Sequence, residues 1–372
     1  MINFNKPYKV NKSFSNIKDT VTRLSISGDG AYAKKCQKFF NDKYEFKHSY
    51  LTPSCTAALE MIALLVNIKP GDEIIMPTFT FVSCANAFVL RGARIRFVDS
   101  NINEPNIDVS KINSLVNKNT KAILVVHYAG IPCDLDALLE IKRKHSLILI
   151  EDCAHAIDSY YKNKPLGSFG DFSTFSFHDT KNITCGEGGL LVVNNKKYVK
   201  RTEIIREKGT NRSSFFRGEI KKYEWIDVGS SYLTSDITAA YLYGQLLNLD
   251  IIQSKRIKIF NRYVTNLNHN EYFKIPDNQI FKKYNGHMFY ILLNSNKERN
   301  SLIDYLGKKK IQAVSHYVPL HSSKFYKDKH DERLCRNADL FSKCLLRLPL
   351  HSYLKNNDID YICKNILNFF KV

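Results

Sequence analysis

The sequence contains no apolar run approaching the 20 or so residues that a membrane-spanning helix requires, which excludes a helical membrane protein. Its opening residues, MINFNKPYKVNKSF, lack the apolar centre of a signal peptide, so a cytoplasmic protein is expected. No Cys-x-x-Cys pair occurs among the nine cysteines, an odd and scattered set. They read as reduced, small core residues, and no metal site is expected. There is no internal repeat, no low-complexity tract and a single tryptophan, Trp225. Acidic residues are few: 36 Asp and Glu stand against 55 Lys and Arg, a formal charge of +19. The basic residues form no arginine-rich tract and are interleaved with acids, so a lysine-decorated surface or a charged small substrate is expected, not nucleic acid.

What is present is an alternation. Glu73–Pro77, Arg94–Val98, Ala122–His127 and Leu147–Asp152 read as short, near-continuously apolar strands. Helical stretches over Phe81–Leu90, from Asp108, and over Leu135–His145 separate them. That order predicts an α/β protein whose mostly parallel sheet is covered on both faces. Ligands of such sheets bind beyond the carboxyl ends of the strands, where Asp152 stands. Residues 1–50 read as irregular except for a helix over Ala31–Asp42, and Ser54–Thr56 as a helix N-terminus able to hold an anion. Beyond a polar, arginine-bearing loop (209–229), one long helix is expected from Thr234 to Leu267. After it come strands at Phe289–Leu293 and Ile311–Tyr317, a helix at Ser301–Lys308 and two terminal helices. The division expected is a large domain over 1–245, then a linking helix and small α+β domain over 246–372.

Phe175–Gly189, FSFHDTKNITCGEGG, is the segment on which the chemistry turns. An alternating strand leads into a polar turn carrying Lys181, and Gly186, Gly188 and Gly189 precede a new apolar run. A lysine in a turn is ordinarily a solvated surface residue. Here it accompanies a strand-end carboxylate, an anion-binding helix start and an aromatic-bearing loop with Phe79 and Phe81. Pyridoxal phosphate needs these parts together: a helix N-terminus for its phosphate, an acid for its pyridine nitrogen, a flat apolar partner for its ring, and an amine for its aldehyde.

With these residues the chain resembles the sugar aminotransferases of the DegT family, which have the aspartate-aminotransferase fold (fold type I): a seven-stranded, mostly parallel sheet and a small α+β domain. The resemblance spans essentially the whole chain and is strongest over Ser176-Phe177-His178-x-x-Lys181 through Gly186-Glu187-Gly188-Gly189. It implies pyridoxal 5′-phosphate as cofactor, carried covalently by Lys181. It further implies Ser176, Cys55 and Thr56 at the phosphate, Asp152 at the pyridine nitrogen, His155 near the ring hydroxyl and Phe81 stacked on the ring. His316-Tyr317-Val318-Pro319-Leu320-His321 and Leu348-Pro349-Leu350 match small-domain signatures near the sugar, with His316 and Tyr317 as substrate-binding residues. The family commonly carries Gly-Tyr-Asn-Tyr-Arg, whose Asn reaches the phosphate from the neighbouring subunit. This chain has Gly229-Ser230-Ser231-Tyr232-Leu233, so the contact falls to Ser231. That segment and the 206–217 loop, with Arg212 and Arg217, resemble the branch acting on dTDP-4-keto-6-deoxy-D-glucose. The resemblance thus implies a cytoplasmic homodimer, with active sites at the subunit interface, that transfers the amino group of L-glutamate to C4 of that dTDP-keto-sugar. The product would be a 4-amino-4,6-dideoxyhexose for O-antigen or a related polysaccharide; gluco and galacto outcomes both stay open, and a C3-aminotransferase is the alternative. Lys181 argues against the related dehydratases, which carry histidine there. A catalytically silent regulator is the reading from another class.

Overall fold

The computed structural model describes residues 1–276 and 284–371. Helices α1 (Asn11–Thr22) and α2 (Ala31–Tyr44) precede β1 (Ser49–Thr52). Then follow α3 (Cys55–Leu65), β2 (Glu73–Pro77), α4 (Ser83–Val89), β3 (Arg94–Val98), β4 (Thr120–Val126), α5 (Leu135–His145) and β5 (Ile148–Asp152). A two-residue hairpin, β6 (Tyr160–Tyr161) with β7 (Lys164–Pro165), leads to β8 (Phe172–Ser176) and β9 (Gly189–Val193). The chain continues through α6 (Val199–Arg206), α7 (Arg212–Phe216), α8 (Asp236–Leu246) and α9 (Leu249–Leu267). It closes with β10 (Phe289–Leu292), α10 (Asn296–Lys308), α11 (Arg336–Cys344), β11 (Leu345–Leu348) and α12 (Asn356–Phe370).

The expected seven-stranded sheet is present, in the order β1-β9-β8-β5-β4-β2-β3. β3, β2, β4, β5 and β8 pair in parallel, whereas β9 runs antiparallel to both β8 and β1. β2 and β9 are buried along their whole length, β4 at all but one residue, because helices cover both faces. Ends are set by local chemistry: Asp134 accepts the Ala137 amide to start α5, and Ser146 closes it in the left-handed region at φ 54°. β10 and β11 form a separate two-stranded ribbon, packed with α9, α10 and α12 around Phe289, Leu302, Leu346 and Ile362.

The structure corrects the sequence reading in four places. α1 was not expected because its buried face is polar: Ser13, Asn16 and Thr20. Ser13 Oγ donates to the Tyr241 carbonyl (2.8 Å) and Asn16 Nδ2 to that of Ala240 (3.2 Å), a fit that Gly244 permits by having no side chain against Ser13. The long helix from Thr234 is two helices, α8 and α9, broken at Leu247–Asn248. Asn248 Nδ2 there donates to the Gly244 carbonyl at 2.9 Å, taking the place of a backbone donor. The stretch from Asp108 forms two 3₁₀ turns instead of an α-helix. Ile311–Tyr317 is not a strand, because its hydrogen bonds are divided: Gln312 bonds Ile2 and Val314 bonds Arg347.

One buried carboxylate holds the sheet rim. Glu151 Oε1 accepts the amides of Phe169 (2.8 Å) and Gly170 (2.7 Å), and Oε2 that of Gly167 (2.9 Å). His127 Nδ1 accepts the Cys133 amide, so its Nε2 carries the proton that it donates to Glu151 Oε2 at 3.1 Å. Cys153 lies close enough to make a His-Glu-Cys trio, but both Glu151 oxygens already serve these four donors, so the cluster reads as a structural knot. Replacing Glu151 by Ala leaves three amides unpaired, those of Gly167 and Gly170 buried and that of Phe169 partly buried. It is expected to destabilise the fold by about 3 kcal/mol or more, read from the urea-unfolding midpoint; a loss under about 1 kcal/mol would contradict this role.

Candidate active site

The antiparallel pair of β8 and β9 runs on past its last ladder residues. The Phe177 amide donates to the Gly188 carbonyl (2.8 Å) and that of Cys185 to Phe177 (2.9 Å), closing the loop that carries Lys181. Phe177 is fully buried, stacked on Phe40 with centroids 5.6 Å apart. Thr184 Oγ1 donates to the Phe177 carbonyl (3.0 Å) and accepts the Gly186 amide (3.0 Å). The residue after the lysine, Asn182, is buried and saturated. Its Nδ2 donates to Gln253 Oε1 (2.8 Å) and the Asn285 carbonyl (2.9 Å), and its Oδ1 faces His287 Nδ1 at 2.8 Å. The backbone of Lys181 is therefore fixed from both sides while its amine enters a cavity of about 530 Å³.

Cys55, Thr56, Phe81, Asp152, His155, Ser176, His316 and Tyr317 line this same cavity. The amides of Cys55 and Thr56 open α3 and so lie outside its i→i−4 ladder, available to an anion; the Ser54 hydroxyl accepts the Ala57 amide at 3.0 Å. This helix start comes against the lysine segment because residue 189 is glycine: a Cβ there would lie 2.4 Å from the Ser54 carbonyl carbon and 2.5 Å from the Cys55 nitrogen. Asp152, at the end of β5, is buried. Its Oδ1 accepts the Ala154 amide (2.9 Å) and its Oδ2 the Cys84 thiol (3.0 Å), which orients the carboxyl group. Phe81 remains 54% exposed at the rim, 6.1 Å from the Tyr317 ring, so its face is open to a flat partner. An anion-binding helix start, a buried carboxylate, an open aromatic face and an amine in one cavity are the donor set that pyridoxal 5′-phosphate requires.

The electrostatics of the cavity favour neutral nitrogen. Burial lowers Lys181 to about 8, with the Arg347 charge adding to the fall while Cys55 and Asp152 oppose it. His155 lies well below its ordinary range, first through burial and then through the charges of Lys181, Arg347 and His316. Its Nδ1 accepts the Ala129 amide (3.3 Å), leaving the proton on Nε2. The ring stacks on His287, likewise held neutral by burial, at 4.3 Å.

Arg212, Arg217 and Ser231 lie outside this cavity. Arg212 pairs with Glu207 at 3.6 Å, and Arg217 with Glu203 (2.9 Å) and Glu219 (2.6 Å). Sequence reasoning missed Cys84, His287 and Arg347, all lining residues. Cys84 follows the aromatic loop and Arg347 precedes Leu348-Pro349-Leu350, so proximity to those segments was the available signal; for His287 there was none.

The lowered Lys181 predicts a pH profile. Pyridoxal phosphate capture by cofactor-free enzyme should follow an amine titrating at about 8, rising several-fold between about pH 7 and 8 and levelling above about 9. A rate still climbing through about pH 10, as for a lysine in water, would contradict the buried environment.

Comparison with known proteins agrees with this geometry. Residues 9–367 match the model of the DegT/DnrJ/EryC1/StrS aminotransferase family. An uncharacterized protein of Methanocaldococcus jannaschii is 33% identical over 341 residues, covering 89% of this chain and 88% of that protein. GDP-perosamine synthase of Escherichia coli O157:H7 is 31% identical over 366 residues, 98% of this chain and 97% of its own. Among solved structures, Helicobacter pylori PseC, an aminotransferase of pseudaminic acid biosynthesis, superposes with a TM-score of 0.91 at 25% identity, over 100% of this chain and 99% of its own. The cavity, the sheet that frames it and these similarities converge on one assignment: the chain belongs to the DegT/DnrJ/EryC1/StrS family and is a pyridoxal-phosphate-dependent sugar aminotransferase.

Proposed function

We propose that the enzyme transfers the amino group of L-glutamate to C4 of dTDP-4-keto-6-deoxy-D-glucose, giving a dTDP-4-amino-4,6-dideoxyhexose for a surface polysaccharide. The observation that carries this reading is the segment Gly229-Ser230-Ser231-Tyr232-Leu233 with the preceding arginine-bearing loop, where the resemblance to that branch is densest. A relative whose name is GDP-perosamine synthase, similar over nearly the whole chain, supports a nucleotide-linked amino sugar as product class. The reading takes 1–245 as the cofactor-binding domain and 246–372 as linking helix and small domain, in a cytoplasmic homodimer. Phe216, Trp225 and Ile226, all exposed on the 209–229 segment, support burial against a second copy. In that dimer Ser231 reaches the partner's phosphate site, and Arg212 and Arg217 meet the nucleotide diphosphate.

Pyridoxal phosphate supplies the electron sink that lets nitrogen leave one carbon and be installed on another. The chain does the rest. The amides of Cys55 and Thr56 and the Ser176 hydroxyl hold the phosphate. The Asp152 carboxylate keeps a proton on the pyridine nitrogen by favouring its cationic form. His155 offers Nε2–H to the ring oxygen, and Phe81 covers the ring. Lys181, with a large neutral fraction near pH 8, would take the proton from Cα of the donor, and in the second half-reaction return a proton to C4 of the sugar. With its backbone held through the anchored neighbour Asn182, it would swing only its side chain between these positions.

Incubation of the enzyme with glutamate and dTDP-4-keto-6-deoxyglucose, and separately with a GDP-4-keto-6-deoxyhexose, tests the substrate. Proton NMR couplings of the product assign position and configuration. Turnover of the dTDP sugar with nitrogen at C4 is expected; a product formed only from the GDP sugar, or aminated at C3, would overturn the reading. Replacing Arg212 or Arg217 by Ala should raise the sugar KM about tenfold or more and leave the glutamate half-reaction unchanged. Equal losses in both halves would remove these residues from the nucleotide site.

A further inference from the structure

Two adjacent residues at the start of α4, Ser83 and Cys84, line the cavity and hold different parts of it. Ser83 Oγ accepts the Thr56 hydroxyl at 2.9 Å, which ties α4 to the start of α3. Cys84 Sγ donates to Asp152 Oδ2 at 3.0 Å and lies 3.2 Å from the Thr80 hydroxyl oxygen. Cys84 is buried, and its backbone amide donates to the Phe81 carbonyl at 3.2 Å. Burial first, and then the Asp152 carboxylate, push its thiol well above the ordinary range, so at neutral pH it has a proton to donate. Other buried cysteines spend that proton on backbone: Cys36 donates to the Ala239 carbonyl and Cys133 to that of Val126, each at 3.4 Å and away from the cavity. Among the described residues, Cys84 is the cysteine whose thiol meets a carboxyl group of the cavity.

The terminal torsion of an aspartate is broad, so a carboxyl group held at one oxygen still turns. The Ala154 amide, two residues along the same chain, holds Oδ1 and leaves Oδ2 free to swing. The Cys84 thiol, from an element 68 residues away, removes that freedom. Because the single Cys84 proton goes to Asp152, the Thr80 hydroxyl is the donor toward the sulfur, and Thr80, Cys84 and Asp152 form one directed chain ending on Oδ2. A thiol is a weak donor. It therefore orients the oxygen while drawing little charge from it, where a stronger donor would lower its attraction for a cation.

We propose that Cys84 is a positioning residue of the reaction, its thiol holding the Asp152 carboxyl group in the orientation that serves the pyridine nitrogen of the cofactor. The residue acts through Asp152 and touches no reacting atom. Its placement also explains why the aromatic loop and the acid belong together: Phe81 stands between Thr80 and Cys84, so one short segment offers the ring face and sets the carboxyl group. The inference rests on Asp152 meeting the pyridine nitrogen, as in the function proposed above.

The test uses holoenzyme carrying Cys84→Ala, Cys84→Val, Cys84→Ser or Asp152→Asn, with bound cofactor measured first. The visible absorption of the bound cofactor is titrated against pH, a readout that needs no substrate, and single-turnover spectra follow the glutamate half-reaction. A proton on the ring nitrogen puts positive charge on the ring and disfavours a second proton elsewhere on the cofactor, so loss of that charge moves the absorption midpoint to higher pH. Cys84→Ala and Cys84→Val, which cannot donate, should raise the midpoint by about half a unit or more. They should also slow the glutamate half-reaction about tenfold, with glutamate KM changed by less than about threefold. Cys84→Ser, which restores a donor, should stay within about threefold of the parent rate. Val is close to Cys in size and decides the matter if the Ala variant does not fold. A midpoint unmoved or lowered in the Ala and Val variants, or a Ser variant no better than Val, would overturn the proposal. Asp152→Asn without effect on the midpoint would refute the Asp152 assignment and this inference together. A midpoint that answers to Asp152→Asn but not to the Cys84 variants would overturn this inference alone.

Discussion

A lysine acts as a nucleophile and proton carrier near neutral pH when its ammonium form is disfavoured, here chiefly by taking it out of water, and that requires a loop that does not yield. The structure meets this constraint by closing the Lys181 loop on buried residues at both ends. Phe177 is stacked in the core on one side, and Asn182 is saturated by Gln253, Asn285 and His287 on the other. Hydration is lost without freedom being gained, and burial brings the amine down to about 8. The same anchors join the lysine to the carboxy-terminal half, since Gln253 lies on α9 and His287 precedes β10.

The sheet supplies the second part of the arrangement. Adjacent residues of a strand face opposite sides, so Glu151 and Asp152 at the end of β5 divide the labour of two buried carboxylates. Glu151 knots the 167–170 turn to the sheet and is fully consumed, while Asp152 is oriented by one amide and one thiol and lines the cavity. A short distance along the rim, Gly189 lets the α3 N-terminus meet the lysine segment, which puts anion binding, acid and amine within one cavity. Two histidines in that cavity are held neutral, so they donate and stack without adding charge against the amine.

Much of this was legible in the sequence because the sheet strands are short apolar runs bounded by polar turns, and because the cofactor's needs are spread over segments that each carry a signal. Leu135–His145 was readable to the residue, since Asp134 and a run of basic residues mark its ends. What was not legible has common physical causes. α1 buries serine, asparagine and threonine, so it shows no apolar stripe. The break between α8 and α9 depends on one asparagine side chain standing in for a backbone donor. Arg347 and His287 reach the site from the β10–β11 ribbon, and only tertiary packing reveals which side of that ribbon meets the lysine.

The central claim is that Lys181, and not another of the many lysines, is the amine through which the enzyme works. It is tested most directly by reducing the pyridoxal-phosphate-loaded enzyme with borohydride, digesting it and locating the pyridoxyl group by mass spectrometry. The account predicts stoichiometric label on the peptide containing Ser176–Gly189, at Lys181. Label distributed over surface lysines, or no label on a cofactor-saturated protein, would contradict it.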